Sequence, residues 1–133
     1  MIFIDTGAFV ARYMAADQNH KKALEVWQRL AQENESCATS NFVLNETFTL
    51  LARRTGYDFA AERARRILQS ESLHILRPNE KQEMEAVVLF EKYGDQKVSF
   101  TDCISFVLMK EAKIAQAFSF DRHFALAGFH PYP

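Results

Sequence analysis

Asp5, Glu46, Asp102 and Asp121 stand where a carboxylate is either costly or offered to a ligand. Asp5 directly follows the apolar run Ile2-Phe3-Ile4, and Asp121 follows Phe118-Ser119-Phe120 in the same way. In an open parallel sheet, ligands bind in the crevice beyond the carboxyl ends of the strands, so two such acids point into one place when their strands are neighbours. Glu46 lies three residues after Val43 and four before Leu50, within the apolar stripe of a helix. There it needs a bound cation or an ion pair, for example with Arg53 or Arg12. Asp102 opens the apolar stretch 103–109, which carries it towards the interior. Each acid also has an ordinary alternative. Asp5 and Asp121 can cap the helices that follow them, and Ser99-Phe100-Thr101-Asp102 fits a capping box. If all four converge, they cannot all be ionised side by side without a cation. A donor set of oxygens alone selects a hard ion, Mg²⁺ or Mn²⁺. Such a site suits phosphodiester hydrolysis, with one carboxylate as general base for the attacking water.

Other reactive side chains are expected in plainer roles. His20, His74, His123 and His130 show no H-x-x-x-H spacing and read as structural or surface residues outside the ligand set. Cys37 and Cys103 are far apart and read as buried, reduced thiols. Asp5-Thr6-Gly7 matches the loop of retroviral-type aspartic proteases, but that fold is nearly all strand, and the helical periodicities here contradict it.

The elements that must position the acids alternate between strand and helix. Residues 2–4 form a buried strand ending at Asp5. A helix over 20–34 turns Ala23, Leu24, Trp27, Leu30 and Ala31 to one face. A second strand at 37–39 leads to a helix over 41–55, capped by Ser40 or Asn41 and stopped by Gly56. Asp58 caps a helix reaching Ser72, with Ala60, Ala64, Ile67 and Leu68 inward; a strand over 73–76 follows, ended by Pro78. Asn79 opens a helix that stops at Tyr93-Gly94, and Ser99 or Thr101 caps a buried one over 102–113. Residues 115–120 form the last clear strand, before a short helix from Asp121 and an edge strand near His130. Strands separated by helices, without hairpin signals, mean parallel pairing through right-handed crossovers. The class is α/β, a small central parallel sheet flanked by helices.

Length and composition set the bounds. The 133 residues fit one domain, 1–133, and 48% hydrophobic with 25% charged residues excludes disorder. Gly 4 and Pro 3 are too few for an all-β sandwich or barrel. The apolar stretch 103–109 is far too short to span a membrane, and residues 1–5 lack a basic leader, so the cytoplasm is expected. A net charge of -1 gives no bulk attraction to nucleic acid, so an RNA partner needs a local patch. The dense basic cluster is Arg53, Arg54, Arg63, Arg65 and Arg66, of which Arg53, Arg54, Arg63 and Arg66 are the RNA-binding candidates. Trp27, Phe42, Phe48 and Phe59 exceed what so small a domain readily buries, which predicts a protein partner.

Several segments together carry a resemblance: Ile2-Phe3-Ile4-Asp5-Thr6, Asn45-Glu46, Leu50-Leu51-Ala52-Arg53-Arg54, Ser99-Phe100-Thr101-Asp102-Cys103 and Phe118-Ser119-Phe120-Asp121-Arg122-His123-Phe124. In order and spacing they resemble the PIN-domain nucleases, and within them the VapC-type toxins of toxin–antitoxin pairs. The resemblance implies a three-layer α/β/α domain and a magnesium- or manganese-dependent endoribonuclease. Asp5, Glu46, Asp102 and Asp121 occupy the family's four acidic positions, and Thr6 and Ser119 match small hydroxyl residues close to the metal. It also implies a homodimer and a groove for an antitoxin segment. A non-catalytic PIN-like binding module and a housekeeping nuclease outside any toxin pair are the alternatives that remain open at this level.

Overall fold

Ile2, Phe3 and Ile4 form strand β1 (Ile2–Ile4), and all three are buried. Three consecutive apolar residues with no polar face suit a parallel strand covered on both sides. In the computed structural model, which describes all 133 residues, β1 lies at the centre of a five-stranded sheet. Its companions are β2 (Cys37–Ser40), β3 (Leu73–Leu76), β4 (Gln116–Phe118) and β5 (His130–Pro131). The order is β3-β2-β1-β4-β5, and every pairing is parallel. Ile2 lies opposite Cys37 on one side and Gln116 on the other, and Ile4 lies opposite Phe118.

Parallel neighbours need long crossovers. Helices α1 (Thr6–Tyr13), α2 (His20–Gln32), α3 (Asn41–Thr55), α4 (Tyr57–Leu68), α5 (Glu80–Lys92), α6 (Phe100–Glu111) and α7 (His123–Leu126) provide them and make the outer layers. Helix α6 is the interior helix that its sequence predicts, buried without interruption from Asp102 to Met109. No helix is long and apolar enough to cross a membrane.

Several helix boundaries follow from capping chemistry. The Ser40 hydroxyl accepts the Val43 N–H at the start of α3, and Gly56, at φ 97°, ends it. Asn79 and Gln82 make a reciprocal capping box at α5. At α6 the Ser99 hydroxyl accepts the Asp102 N–H at 3.1 Å, but no return bond runs from the Asp102 carboxylate. The expected capping box is thus half made, and the Asp102 side chain is left for other work.

Helix α1 enters the sequence analysis only through the alternative that Asp5 caps a following helix, and its extent, Thr6–Tyr13, is an addition. Other elements shift. Helix α4 begins after Gly56 rather than at an Asp58 cap, and Leu68 at its end is exposed. The inward face of α2 is Ala23, Val26 and Leu30, whereas Leu24 and Ala31 face solvent. Helix α6 starts at Phe100 and β4 stops at Phe118, two residues short of the expected end. Trp27, Phe42, Phe48 and Phe59 are half-buried, with Trp27, Phe42 and Phe48 packed on the core. Exposed large apolar side chains gather instead on α5, at Met84, Val87, Val88 and Phe90, with others scattered singly over the surface.

Candidate active site

The chain leaves β1 towards β2 on one side and reaches β4 on the other, so the sheet's winding reverses at β1/β4. At such a switch point the loops after adjacent strands diverge and leave a crevice. Asp5 follows β1 and Ser119 follows β4, so both open onto it. The Asp5 N–H donates to the Phe118 carbonyl at 3.1 Å, and the Ser119 hydroxyl donates to Asp5 Oδ2 at 2.8 Å. The same hydroxyl oxygen accepts the Asp121 N–H at 3.0 Å. On the β2 side, the Thr39 hydroxyl donates to the Ile4 carbonyl at 2.8 Å, one residue beyond the last β1–β2 register pair. Asp5 holds the N-cap position of α1 yet makes no capping bond through its side chain. Its carboxylate faces the crevice.

A cleft of about 690 Å³ fills this crevice, and Asp5, Glu46, Asp102 and Asp121 all line it. Each acid arrives on a different element: Asp5 on the β1–α1 junction, Glu46 on α3, Asp102 on the first turn of α6, Asp121 on the β4–α7 turn. Asp5 and Asp102 are buried, and Glu46 and Asp121 half-buried. None of the four pairs with an arginine or lysine, so the expected alternative of an ion pair from Glu46 to Arg53 or Arg12 is not made. Asp121 does double duty, because its Oδ1 also accepts the His123 N–H at 2.9 Å.

Burial pushes Asp5 up to about 6; its bonds from Ser119 and Thr6 pull it back, and the charges of Asp121 and Glu46 add to the rise. Asp102 is raised further, by burial first and then by the charges of Asp5 and Asp121. Such a cluster is unfavourable by itself and becomes favourable around a cation. Two further atoms point the same way. Thr6 Oγ1 and His123 Nδ1 are buried and lack hydrogen-bond partners, although Thr6 and His123 both line the cleft. Orphaned polar atoms beside uncompensated carboxylates fit a site made to hold a divalent ion.

His123 brings a ring nitrogen to the carboxylates of the cleft. Its Nδ1 lies 3.0 Å from Asp121 Oδ1 and 3.5 Å from Asp102 Oδ2, and one donor atom from each of the three residues fits within 4.8 Å. The signal in the sequence is its place two residues after a strand-terminal acid, not the helical i, i+4 spacing.

The basic candidates separate. Arg54 lines the acidic cleft, together with Lys97 and Arg122, which the sequence reading did not single out. Arg53 is exposed and does not line it. Arg63 and Arg66 line a different cavity of about 500 Å³ near the starts of β2 and β3, with Arg12 and Trp27. There Arg63 lies over the rings of Phe59 and Tyr13, at 5.1 and 5.3 Å.

Carboxylates gathered without cationic partners at the switch point of a parallel sheet define an α/β domain of the kind that holds a divalent ion for phosphoryl chemistry. The sequence profile of the PIN domain matches residues 2–129, and the chain belongs to the PIN domain family, whose nucleases are metal-dependent. Two curated relatives, from the CDC 1551 / Oshkosh and H37Rv strains of Mycobacterium tuberculosis, are each named 23S rRNA-specific endonuclease VapC20. Both are 36% identical over 133 residues, covering 97% of this chain and 95% of theirs. The crystal structure of Mycobacterium tuberculosis VapC20, described as a sarcin–ricin loop cleaving toxin, superposes with a TM-score of 0.85 at 34% identity. It covers 97% of this chain and 96% of its own. The chain is thus a homologue of VapC-type PIN endoribonuclease toxins.

Proposed function

We propose that residues 1–133 form a single nuclease domain that hydrolyses RNA phosphodiester bonds with Mg²⁺ or Mn²⁺, as the toxin of a toxin–antitoxin pair in the cytoplasm. The observation that carries this reading is the convergence of Asp5, Glu46, Asp102 and Asp121 on one cleft without an arginine or lysine partner. Asp5, Asp102 and Asp121 hold the ion, and Glu46 completes the set from α3. When bound, the ion supplies neutralisation of the charge developing on the phosphate and a lowered pKa for the attacking water.

The chain's own groups do the rest. Ser119 fixes the rotamer of Asp5 through their 2.8 Å bond, and Thr6 lies beside it with its hydroxyl free. A carboxylate of the cluster orients the water and takes its proton. Arg54, Lys97 and Arg122, at the margin of the cleft, hold the flanking phosphates. The names of the relatives direct the choice of substrate to 23S rRNA and to its sarcin–ricin loop. The exposed side chains of Met84, Val87, Val88 and Phe90 on α5 support a homodimer. An antitoxin segment reaching towards the acidic cleft is the further partner.

The test is to incubate the purified protein with a sarcin–ricin loop RNA and with Mg²⁺ or Mn²⁺. Cleavage that stops in chelator and in Asp5→Asn and Asp102→Asn is the expected result. Cleavage that persists unchanged in either condition overturns the mechanism.

A further inference from the structure

His123 lines the acidic cleft, approaches two of its carboxylates and has no role in the function proposed above. It lies on the first residue of α7, two positions beyond Asp121, and is half-buried. Its Nδ1 approaches two carboxylates, at 3.0 Å to Asp121 and 3.5 Å to Asp102. A charge-assisted hydrogen bond would be the ordinary explanation at these distances. The ring is not aligned for one, since Nδ1 is buried and without a hydrogen-bond partner. The Asp121 oxygen nearest to it already accepts the His123 backbone N–H at 2.9 Å.

The spacing matches something else. Divalent ions hold oxygen and imidazole nitrogen at about 2.1 Å, so neighbouring ligands at right angles lie about 3.0 Å apart and tetrahedral ones about 3.4 Å. The two distances from Nδ1 cover that range, and the three donor atoms fit within 4.8 Å of one another. Thr6, itself buried, adds a second unpartnered polar atom to the same cleft.

We infer that His123 Nδ1 is a ligand of the bound ion, together with Asp102 and Asp121, and that this nitrogen biases the site towards Mn²⁺ over Mg²⁺. The inference rests on the reading of the cleft as a metal site. Chemically, Mg²⁺ is hard and takes oxygen ligands, whereas imidazole suits transition ions. With Nδ1 as donor, Nε2 carries the ring proton, and the neutral imidazole adds no charge to the cluster. Because the Asp121 side chain is tied to the backbone of His123, the two ligands are positioned together by a single turn.

The deciding experiment is pulsed electron paramagnetic resonance of Mn²⁺ bound to tag-free protein, with metal affinities measured alongside by calorimetry. The expected result is nitrogen hyperfine coupling characteristic of a directly bound imidazole, absent in His123→Ala. That variant loses Mn²⁺ affinity by at least about tenfold, the loss that removal of even an outer-shell partner produces, while its Mg²⁺ affinity falls much less. Stoichiometric Mn²⁺ binding without nitrogen coupling in the unaltered protein overturns the role of His123 and leaves the carboxylate site standing. Coupling that survives in His123→Ala overturns it equally. Absence of Mn²⁺ binding overturns the metal site itself, and with it both readings.

Discussion

The Ser119 hydroxyl ties Asp5 to Asp121: it donates to the Asp5 carboxylate at 2.8 Å and accepts the Asp121 backbone N–H at 3.0 Å. One oxygen thereby sets the separation of two acids that arrive from different strands. It also favours the charged form of Asp5 in a position where burial opposes it.

Ser119→Ala is therefore expected to keep every carboxylate but loosen their arrangement. Metal affinity should fall about 10- to 100-fold, as it does when an outer partner of a ligand is removed. Calorimetric titration with Mn²⁺ measures this. An unchanged affinity would show that the bond is incidental to the cleft.

Replacing a buried acid should separate stability from activity. Asp102→Asn removes a charge held among Asp5, Asp121 and Glu46 while keeping the shape of the side chain. The metal-free variant is expected to melt at the same temperature as the parent or above it. It should also lose RNA cleavage and most of the stabilisation that Mn²⁺ gives the parent. Thermal melts with Mn²⁺ and with chelator, run beside a cleavage assay, read all three.

The pH dependence of the metal-free protein follows from the raised acids. Folded Asp5 titrates at about 6 against an ordinary 3.8, so between those values the native state binds more protons than the unfolded one. Stability then falls as pH rises through that window, by on the order of 3 kcal/mol from this group alone. Asp102, also raised, extends the fall to higher pH. Urea denaturation in chelator is expected to give a higher midpoint at pH 5 than at pH 8. Saturating Mn²⁺ should flatten or reverse the trend, since an ion bound only by the native state stabilises it by mass action. A metal-free protein most stable at pH 8 would contradict the clustering of unpaired acids.

Thr39→Val tests the join between β1 and β2. The substitution keeps the shape and deletes the hydroxyl that reaches the Ile4 carbonyl at 2.8 Å. Losing that buried bond should cost about 1 kcal/mol, read as a lower denaturant midpoint. RNA cleavage is expected to fall as well, because Asp5 follows the strand end that the bond secures.

Where local chemistry decides the structure, the sequence was a good guide. Ser40, Gly56 and Asn79 mark helix ends by capping rules that act over a few residues, and they stand where those rules predict. The acids were legible for a related reason: a carboxylate at the end of an apolar strand, or within an apolar stripe, contradicts its surroundings. Helix α1 was not legible, because Ala8, Phe9, Val10 and Ala11 are buried in succession and show no amphipathic period, and no side-chain capping bond marks its start. The arginine cluster misled for a geometric reason. It spans the end of α3 and the body of α4, so residues close in sequence face different cavities, Arg54 one and Arg63 another. His123 was missed because its nearness to Asp102 is created by the fold and is invisible to a spacing rule.

The central position of β1 also has a consequence for when the cleft comes into being. Asp5 and the Ser119 that orients it are separated by 114 residues, and β4 must slot in beside β1 before they meet. Contacts of such long sequence separation form late and slow the folding of a domain. During translation Asp5 is made well before its partners on α6 and beyond β4. The cleft therefore takes shape only once Ser119, just beyond β4, has been made and β4 has paired with β1.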